Sequence, residues 1–269
     1  MSPIALPLVG WAGMAGVMAG SYLVARARRD AGIVDVVWSF GVGALAVFYA
    51  AAADGNLVRR LLLGVLAGGW SVRLGVYLLR DRVFRGAEDG RYQMLRAGWG
   101  PRAESFFFVF FQVQALWSVL FSLPFLPVAF SRAAAPAWYD VAGVAVWLVA
   151  VGGEAVADRQ LARFRRRPDS GGTTCREGLW RYSRHPNYFF EWVHWFAYVF
   201  LALGSPYVWV ALWGPVVMLL FLFKLTGIPY TEKRALASRG EDYRRYQQTT
   251  SVFVPWPPKE ADRCEEQST

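Results

Sequence analysis

Long apolar stretches recur along the 269-residue chain, each interrupted by short clusters of charge, and this alternation predicts helices and no strands. Runs of about eighteen or more apolar residues are long enough to cross a hydrocarbon core of ~30 Å. Seven are read, at about 3–25, 31–53, 61–79, 105–131, 136–157, 188–203 and 206–223. The sixth is short and carries polar groups, so six spans with one re-entrant segment is the alternative. The expected fold class is therefore all-α: a polytopic integral membrane protein, one membrane domain over residues 1–269. The first span lacks a basic leader and is followed by further spans, so it reads as a helix rather than a cleaved signal.

Composition agrees, with 55% hydrophobic and 16% aromatic residues. The net charge of +9 could suggest a nucleic-acid partner, but its placement argues for orientation instead. In a seven-span arrangement 25 of the 29 Lys and Arg fall on one side, while Arg59, Arg60 and Arg132 lie on the other and Arg73 within a span. By the positive-inside rule the N-terminus is outside and the C-terminus cytoplasmic. Membrane lipids and no nucleic acid are the expected partners of this charge. Cys175 and Cys264 both fall on the cytoplasmic side, where a structural disulfide is not expected, and two thiols with two histidines make no metal constellation. Gly41-Val-Gly43-Ala-Leu-Ala46 fits a dinucleotide fingerprint, yet it sits inside a span with no preceding strand and reads as a run of small residues for helix packing.

Polar side chains inside spans carry the candidate chemistry, because charge at membrane depth is costly and ordinarily faces an interior cavity. Asp35 opens the second span. Trp70, Arg73, Tyr77 and Arg80 share one face of the third. Glu154, Asp158 and Arg165 form a stripe on the fifth, and Asn187, Glu191 and His194 on the sixth. End-of-span snorkelling explains Arg80 and Asp158 as well as function does, and an interfacial position explains Asp35 equally. The stretch Gly178-Leu-Trp-Arg-Tyr182-Ser-Arg184-His185-Pro186-Asn187 is the most informative. Proline suits the first helical position, so a helix is expected from Pro186, with Arg181, Arg184 and His185 at its positive end. Free amides, a helix dipole and cationic side chains together favour a phosphorylated ligand.

The run RYSRHPNYFFE, the upstream Glu154-xxx-Asp158-Arg-Gln160-xxx-Phe164-Arg165, and the downstream Gly240-Glu241-Asp242-Tyr243-Arg-Arg-Tyr246 with Pro255-Trp256 resemble the steroid 5α-reductase superfamily, most closely its bacterial seven-span branch. Asp35-Val-Val-Trp38 and the segment from Trp70 to Tyr92 are also similar, so the likeness runs from about residue 30 to 257. It implies an integral-membrane reductase, working as a monomer in a bacterial cytoplasmic membrane, that uses NADPH to saturate a C=C bond conjugated to a ketone in a hydrophobic small molecule. The resemblance places Asp158, Arg165, Asn187 and Glu191 at the family's cofactor-cavity positions and matches Arg73 to a family arginine. Arg82, Arg91 and Arg184 are expected at the phosphates, and Tyr182, His185 and Tyr243 complete the expected cofactor site. Glu191 is also expected among the catalytic groups, and Asp35 is the candidate for the ketone oxygen.

Hydride delivery to the β-carbon of an enone drives negative charge onto the carbonyl oxygen, so a preorganised donor is expected there, and the α-carbon must then take a proton. A carboxyl in a dry cavity can supply it. The expected arrangement is a set of helical stripes converging on a cytoplasm-facing cavity. Two departures from the animal steroid reductases weaken steroid as the substrate: Asp35 has no second member, and Trp70 stands where a tyrosine aligns. The rival resemblance is to isoprenylcysteine carboxyl methyltransferases, which share the RHPxY run and bind S-adenosylmethionine. They carry paired glutamates in the last segment, where this chain has Glu232 alone.

Overall fold

The structure, a computed structural model, describes residues 1–84, 88–225 and 227–259. Its helices in chain order are α1 Ala5–Arg28, α2 Ile33–Ala52, α3 Leu57–Leu78, α4 Gly90–Trp99, α5 Ala103–Ser122, α6 Phe125–Ala129, α7 Trp138–Arg165, α8 Pro186–Leu201, α9 Val208–Ala211, α10 Trp213–Leu220, α11 Ile228–Arg239 and α12 Glu241–Thr249. Single π-helical turns extend α3 over Leu79–Val83 and α10 over Phe221–Leu225. No strand occurs among the described residues, as the sequence pattern predicts.

Six helical stretches are long and apolar enough to cross a membrane: Ala5–Arg28, Ile33–Ala52, Leu57–Val83, Gly90–Ser122, Trp138–Arg165 and Val208–Arg239. The segment expected as the sixth span is α8, which has 16 residues. At 1.5 Å per residue it rises about 24 Å, short of a ~30 Å hydrocarbon core. It does begin at Pro186, where proline's missing N–H costs nothing.

The chain divides into two compact units, each described on its own: residues 1–143 with 198–214, and residues 144–197 with 215–269. In the first, α2 packs on α3, α1 and α5, and α1 on α5. Small residues set these approaches. A Cβ at Gly43 would stand 2.2 Å from Cβ of Ser71, and one at Gly41 would stand 2.3 Å from Cε of Met14. The glycine run that mimics a nucleotide fingerprint is thus a helix-packing surface. Exposed Leu8, Val17, Leu23 and Val24 on α1, with Leu61, Val65 and Val72 on α3, supply an apolar exterior suited to lipid.

At the N-terminal end of α3, Arg59 is fully buried and donates to Asp140 (3.1 Å), Ser131 Oγ (2.5 Å), Ala134 O (3.0 Å) and Tyr139 Oη (2.7 Å). Asp140 also accepts from the Ala137 amide at 2.7 Å. This knot ties the start of α3 to the loop before α7 and the first turn of α7. Nearby, Arg60 donates to the carbonyls of Ala50 and Ala51, satisfying the last turn of α2.

The second unit is organised around the stretch leading into α8. Trp180 Nε1 donates to Ala157 O (2.9 Å), and the Leu179 amide donates to Gln160 Oε1 (2.9 Å), so α7 grips the turn from two sides. Gly178 makes that turn at φ +57, and a Cβ there would lie 2.2 Å from the Gln160 amide. The extended segment after α12 runs alongside residues 182–184. The amides of Arg184 and Trp256 donate to Ser251 O (2.8 Å) and Tyr182 O (2.9 Å), and Ser183 Oγ donates to Phe253 O (2.7 Å). Buried Tyr246 of α12 closes the arrangement by donating to the carbonyls of Trp180 and Ser183.

Candidate functional site

The candidate site residues fall mainly in two polar clusters, one in each unit. In the second unit the central group is Glu232, on α11. Its Oε1 ion-pairs with Arg184, whose Nε is 2.9 Å away, lies 3.3 Å from His185 Nε2 and accepts from the Tyr243 hydroxyl at 3.4 Å, and its Oε2 accepts from Gln247 Nε2 at 2.9 Å. The Arg184 side chain is 11% exposed and also donates to Gln247 O at 3.0 Å. The protein itself thus engages this guanidinium at Nε and at Nη1.

His185 lies 5.4 Å from Tyr188 in a stacked pair with their planes 5° apart, and Tyr188 Oη is 3.2 Å from Thr231 Oγ1. Burial pulls the His185 imidazole below the ordinary histidine range; Glu232 acts in the opposite sense and Arg184 reinforces the fall. Burial also pushes the Tyr243 phenol well above its usual value, with the charge of Glu232 adding to it. The neutral forms of both rings are favoured, which suits them to hydrogen bonding rather than to carrying charge.

Asn187 stands in the first turn of α8 and donates through Nδ2 to Asp158 Oδ1 at 3.3 Å, while its Oδ1 accepts from the Tyr188 amide at 3.0 Å. Glu191 follows four residues later on the same helix face and is buried, as is His194 beyond it. Helical spacing thus does place these three in a stripe, and α7 supplies Asp158 and buried Glu154. Arg165 is exposed at the end of α7, with Arg163 and Arg166 beside it, and Tyr182 is 41% exposed. Among the described residues neither side chain joins the Glu232 hub.

The first unit holds the other cluster. Asp35 accepts from Tyr92 Oη (2.7 Å) and Arg91 Nη2 (2.8 Å), with Arg82 Nε at 3.7 Å. Arg82 also pairs with Asp89, and Arg91 Nε lies 3.1 Å from Asp89 Oδ1. The π turn after α3 carries Arg82, and Asp89 caps α4 by accepting from the Arg91 amide at 2.9 Å. Both oxygens of Asp35 are thus occupied by donors, and a ketone oxygen, itself an acceptor, would compete with Asp35 for the Tyr92 hydroxyl or the Arg91 guanidinium. Arg73 is half-buried on α3. Among the described residues no group of three or more His, Cys, Asp or Glu could hold a metal ion, and Cys175 is buried while Cys264 lies outside the described residues.

Sequence reasoning named most members of these two clusters but gave Glu232, which organises the second, no part in the site. Glu232 sits in Thr-Glu-Lys-Arg, a plain charged stretch, and only the fold brings it against residues 47 positions earlier. Gln247 was equally silent, and Tyr188 entered only as the tyrosine of the RHPxY run. A signal existed in the pairing rule: Arg184 and His185, if buried, require a nearby carboxylate.

Helices throughout the described residues, six of them long and apolar enough to cross a membrane, define a polytopic membrane protein. The chain belongs to the family described as Protein of unknown function (DUF1295), whose model matches residues 21–250. That family is related to steroid 5α-reductase-like membrane proteins. No curated protein and no solved structure matches the chain.

Proposed function

We propose that this protein is a membrane reductase that uses NADPH to saturate the C=C bond of a hydrophobic enone, a steroid or related lipid, with hydride delivered to the β-carbon. The observation that carries the reading is the Asn187–Asp158 pair. It joins two motif positions 29 residues apart at the meeting of α7 and α8, with Glu191 buried one turn further along α8. The proposal includes the finer topology: seven crossings, α8 among them, with the N-terminus outside and the C-terminus on the cytoplasmic side of a bacterial membrane.

The residues present fit a phosphorylated nucleotide. Asn187 offers an amide held in one orientation by Asp158, and Arg163, Arg165 and Arg166 present exposed guanidinium groups that can engage phosphate in bidentate fashion. NADPH, when bound, supplies the hydride. Asp158 restrains the Asn187 amide, and in this proposal Glu191, buried on the same face, holds the proton that the α-carbon takes up. Glu232 keeps Arg184 and His185 in position, so their part is to shape the entrance rather than to grip charge. Asp35, Arg73, Arg82 and Arg91 enter the proposal through the family likeness; Asp35 remains the candidate for the ketone oxygen.

Thermal unfolding in detergent tests the proposal. A specific ligand at a hundred times its Kd stabilises by about 2.7 kcal/mol. NADPH should raise the midpoint and NADH should not, and Asn187→Ala and Arg165→Ala should each abolish the shift. Protection by S-adenosylmethionine instead would move the chain to the methyltransferase reading, and protection by neither would overturn both.

A further inference from the structure

The first unit contains a cleft of about 620 Å³ lined by Arg26, Arg29, Glu88, Arg96 and Glu104 together with the turn into α5. None of these residues belongs to either cluster proposed for the reductase. The volume is that of a small-ligand site. We propose that this cleft takes the phosphoethanolamine headgroup of a membrane phospholipid.

The cleft is built rather than incidental. Arg96 donates to Glu88 Oε1 at 3.0 Å and to Glu104 Oε1 at 2.9 Å, and its guanidinium lies 4.6 Å from the Phe107 ring. Glu88 also takes the Ala31 amide at 2.9 Å, so Arg96 and Glu88 satisfy each other and form the wall. What remains open is the guanidinium of Arg29, most of that of Arg26, and the second oxygen of Glu104. Glu104 is 42% exposed, and its Oε2 has only Tyr22 Oη at 3.5 Å and Arg26 Nε at 3.9 Å. Arg26 is 63% exposed, and Arg29 pairs with no carboxylate among the described residues.

Arg29 is also the one non-glycine residue with positive φ among the described residues, at φ 54 and ψ 37, just after α1. That position is normally glycine's, and an L-side chain there costs roughly 1 kcal/mol. A strained residue carrying an open guanidinium on a cleft wall points to a ligand.

Charge and place together choose the ligand. Arg29, with no carboxylate partner among the described residues, and Arg26, whose one acid contact is Glu104 at 3.9 Å, call for a phosphate; Glu104, held by Arg96 through Oε1, keeps Oε2 for an N–H cation beside it. One zwitterion supplies both. The cleft opens where the 24-residue apolar α1 ends, and exposed Leu23 lies three residues before Arg26 on the same helix face, with Val24 next to it. An acyl chain lying along that face would bring its headgroup to the arginines.

The test uses the full chain, freed of lipid in detergent, and measures thermal protection by phosphatidylethanolamine, phosphatidylcholine, phosphatidylglycerol and inorganic phosphate. Phosphatidylethanolamine should protect at concentrations at least tenfold lower than phosphatidylcholine, whose quaternary nitrogen has no N–H for Glu104. Glu104→Gln should erase that difference. Arg29→Gly should weaken protection by both lipids at least tenfold while leaving the lipid-free midpoint unchanged or higher, since glycine accepts the backbone angle. Equal protection by phosphatidylethanolamine and phosphatidylcholine would overturn the proposal. So would stronger protection by phosphatidylglycerol, which lacks the cation, or equal protection by phosphate alone, which would make this a free-anion site. Should Arg29→Gly fail to fold, the Glu104→Gln comparison decides. NADPH protection is read separately, so its failure leaves this outcome untouched.

Discussion

Arg59 offers the sharpest test of the packing described here. Its side chain is fully buried, that of Asp140 is 3% exposed, and four donors of the guanidinium are used. Replacing Arg59 by Met leaves the Asp140 carboxylate buried with the Ala137 amide as its remaining hydrogen-bond donor. Breaking a buried pair by removing one partner costs about 3–5 kcal/mol. At roughly 2–4 °C per kcal/mol for a chain of this order of size, the thermal midpoint should fall by about 10 °C. Tryptophan fluorescence in detergent reads this directly. A second variant isolates the cause: Arg59→Met combined with Asp140→Leu removes both charges and should recover most of the loss, because the penalty comes from the abandoned carboxylate. If Arg59→Met alone melted within about 2 °C of the parent, or if the double variant were worse than the single one, the knot would not be holding the start of α3.

Two further outcomes follow from the geometry. His185 is buried with its pKa held below the free value of about 6.5. The unfolded chain therefore binds the extra proton, so stability should be lowest at acid pH, rise as pH climbs toward about 6.5 and then level off; His185→Gln should flatten that rise when midpoints are compared from pH 5 to 8. Gly43→Val would drive a side chain into Ser71, where even a Cβ finds only 2.2 Å, and should destabilise by about 1–3 kcal/mol in the same assay, with an unchanged midpoint counting against the α2–α3 contact.

How much of this was written in the sequence depends on distance along the chain. Helix starts and faces are local, and they were legible: proline at 186 opens α8, and the four- and three-residue spacings put Asn187, Glu191 and His194 on one side. The glycine run at 41–46 was legible too, because a fingerprint without a strand before it can only be packing. Span counting was less so. Hydropathy assigns residue 188–203 by greasiness, whereas the helix there stops at Leu201 after 16 residues. Partners across long separations were not legible. Arg59 read as a charge outside the membrane, but it is buried against Asp140, 81 residues on. Glu232 read as an isolated acid, and α11 and α12 bring it to Arg184. Charge pairing is set by the fold, and a single sequence gives no register between distant helices.

The hydrogen bonds from residues 251–256 to 182–184 carry a consequence for biosynthesis. The motif that opens α8 is translated some seventy residues before the segment that braces it, so a growing chain can insert its apolar helices long before this stretch acquires its final shape. A chain stopped near residue 250 would retain its hydrophobic spans yet lack the brace, and should be found in the membrane as an inserted but unfinished product.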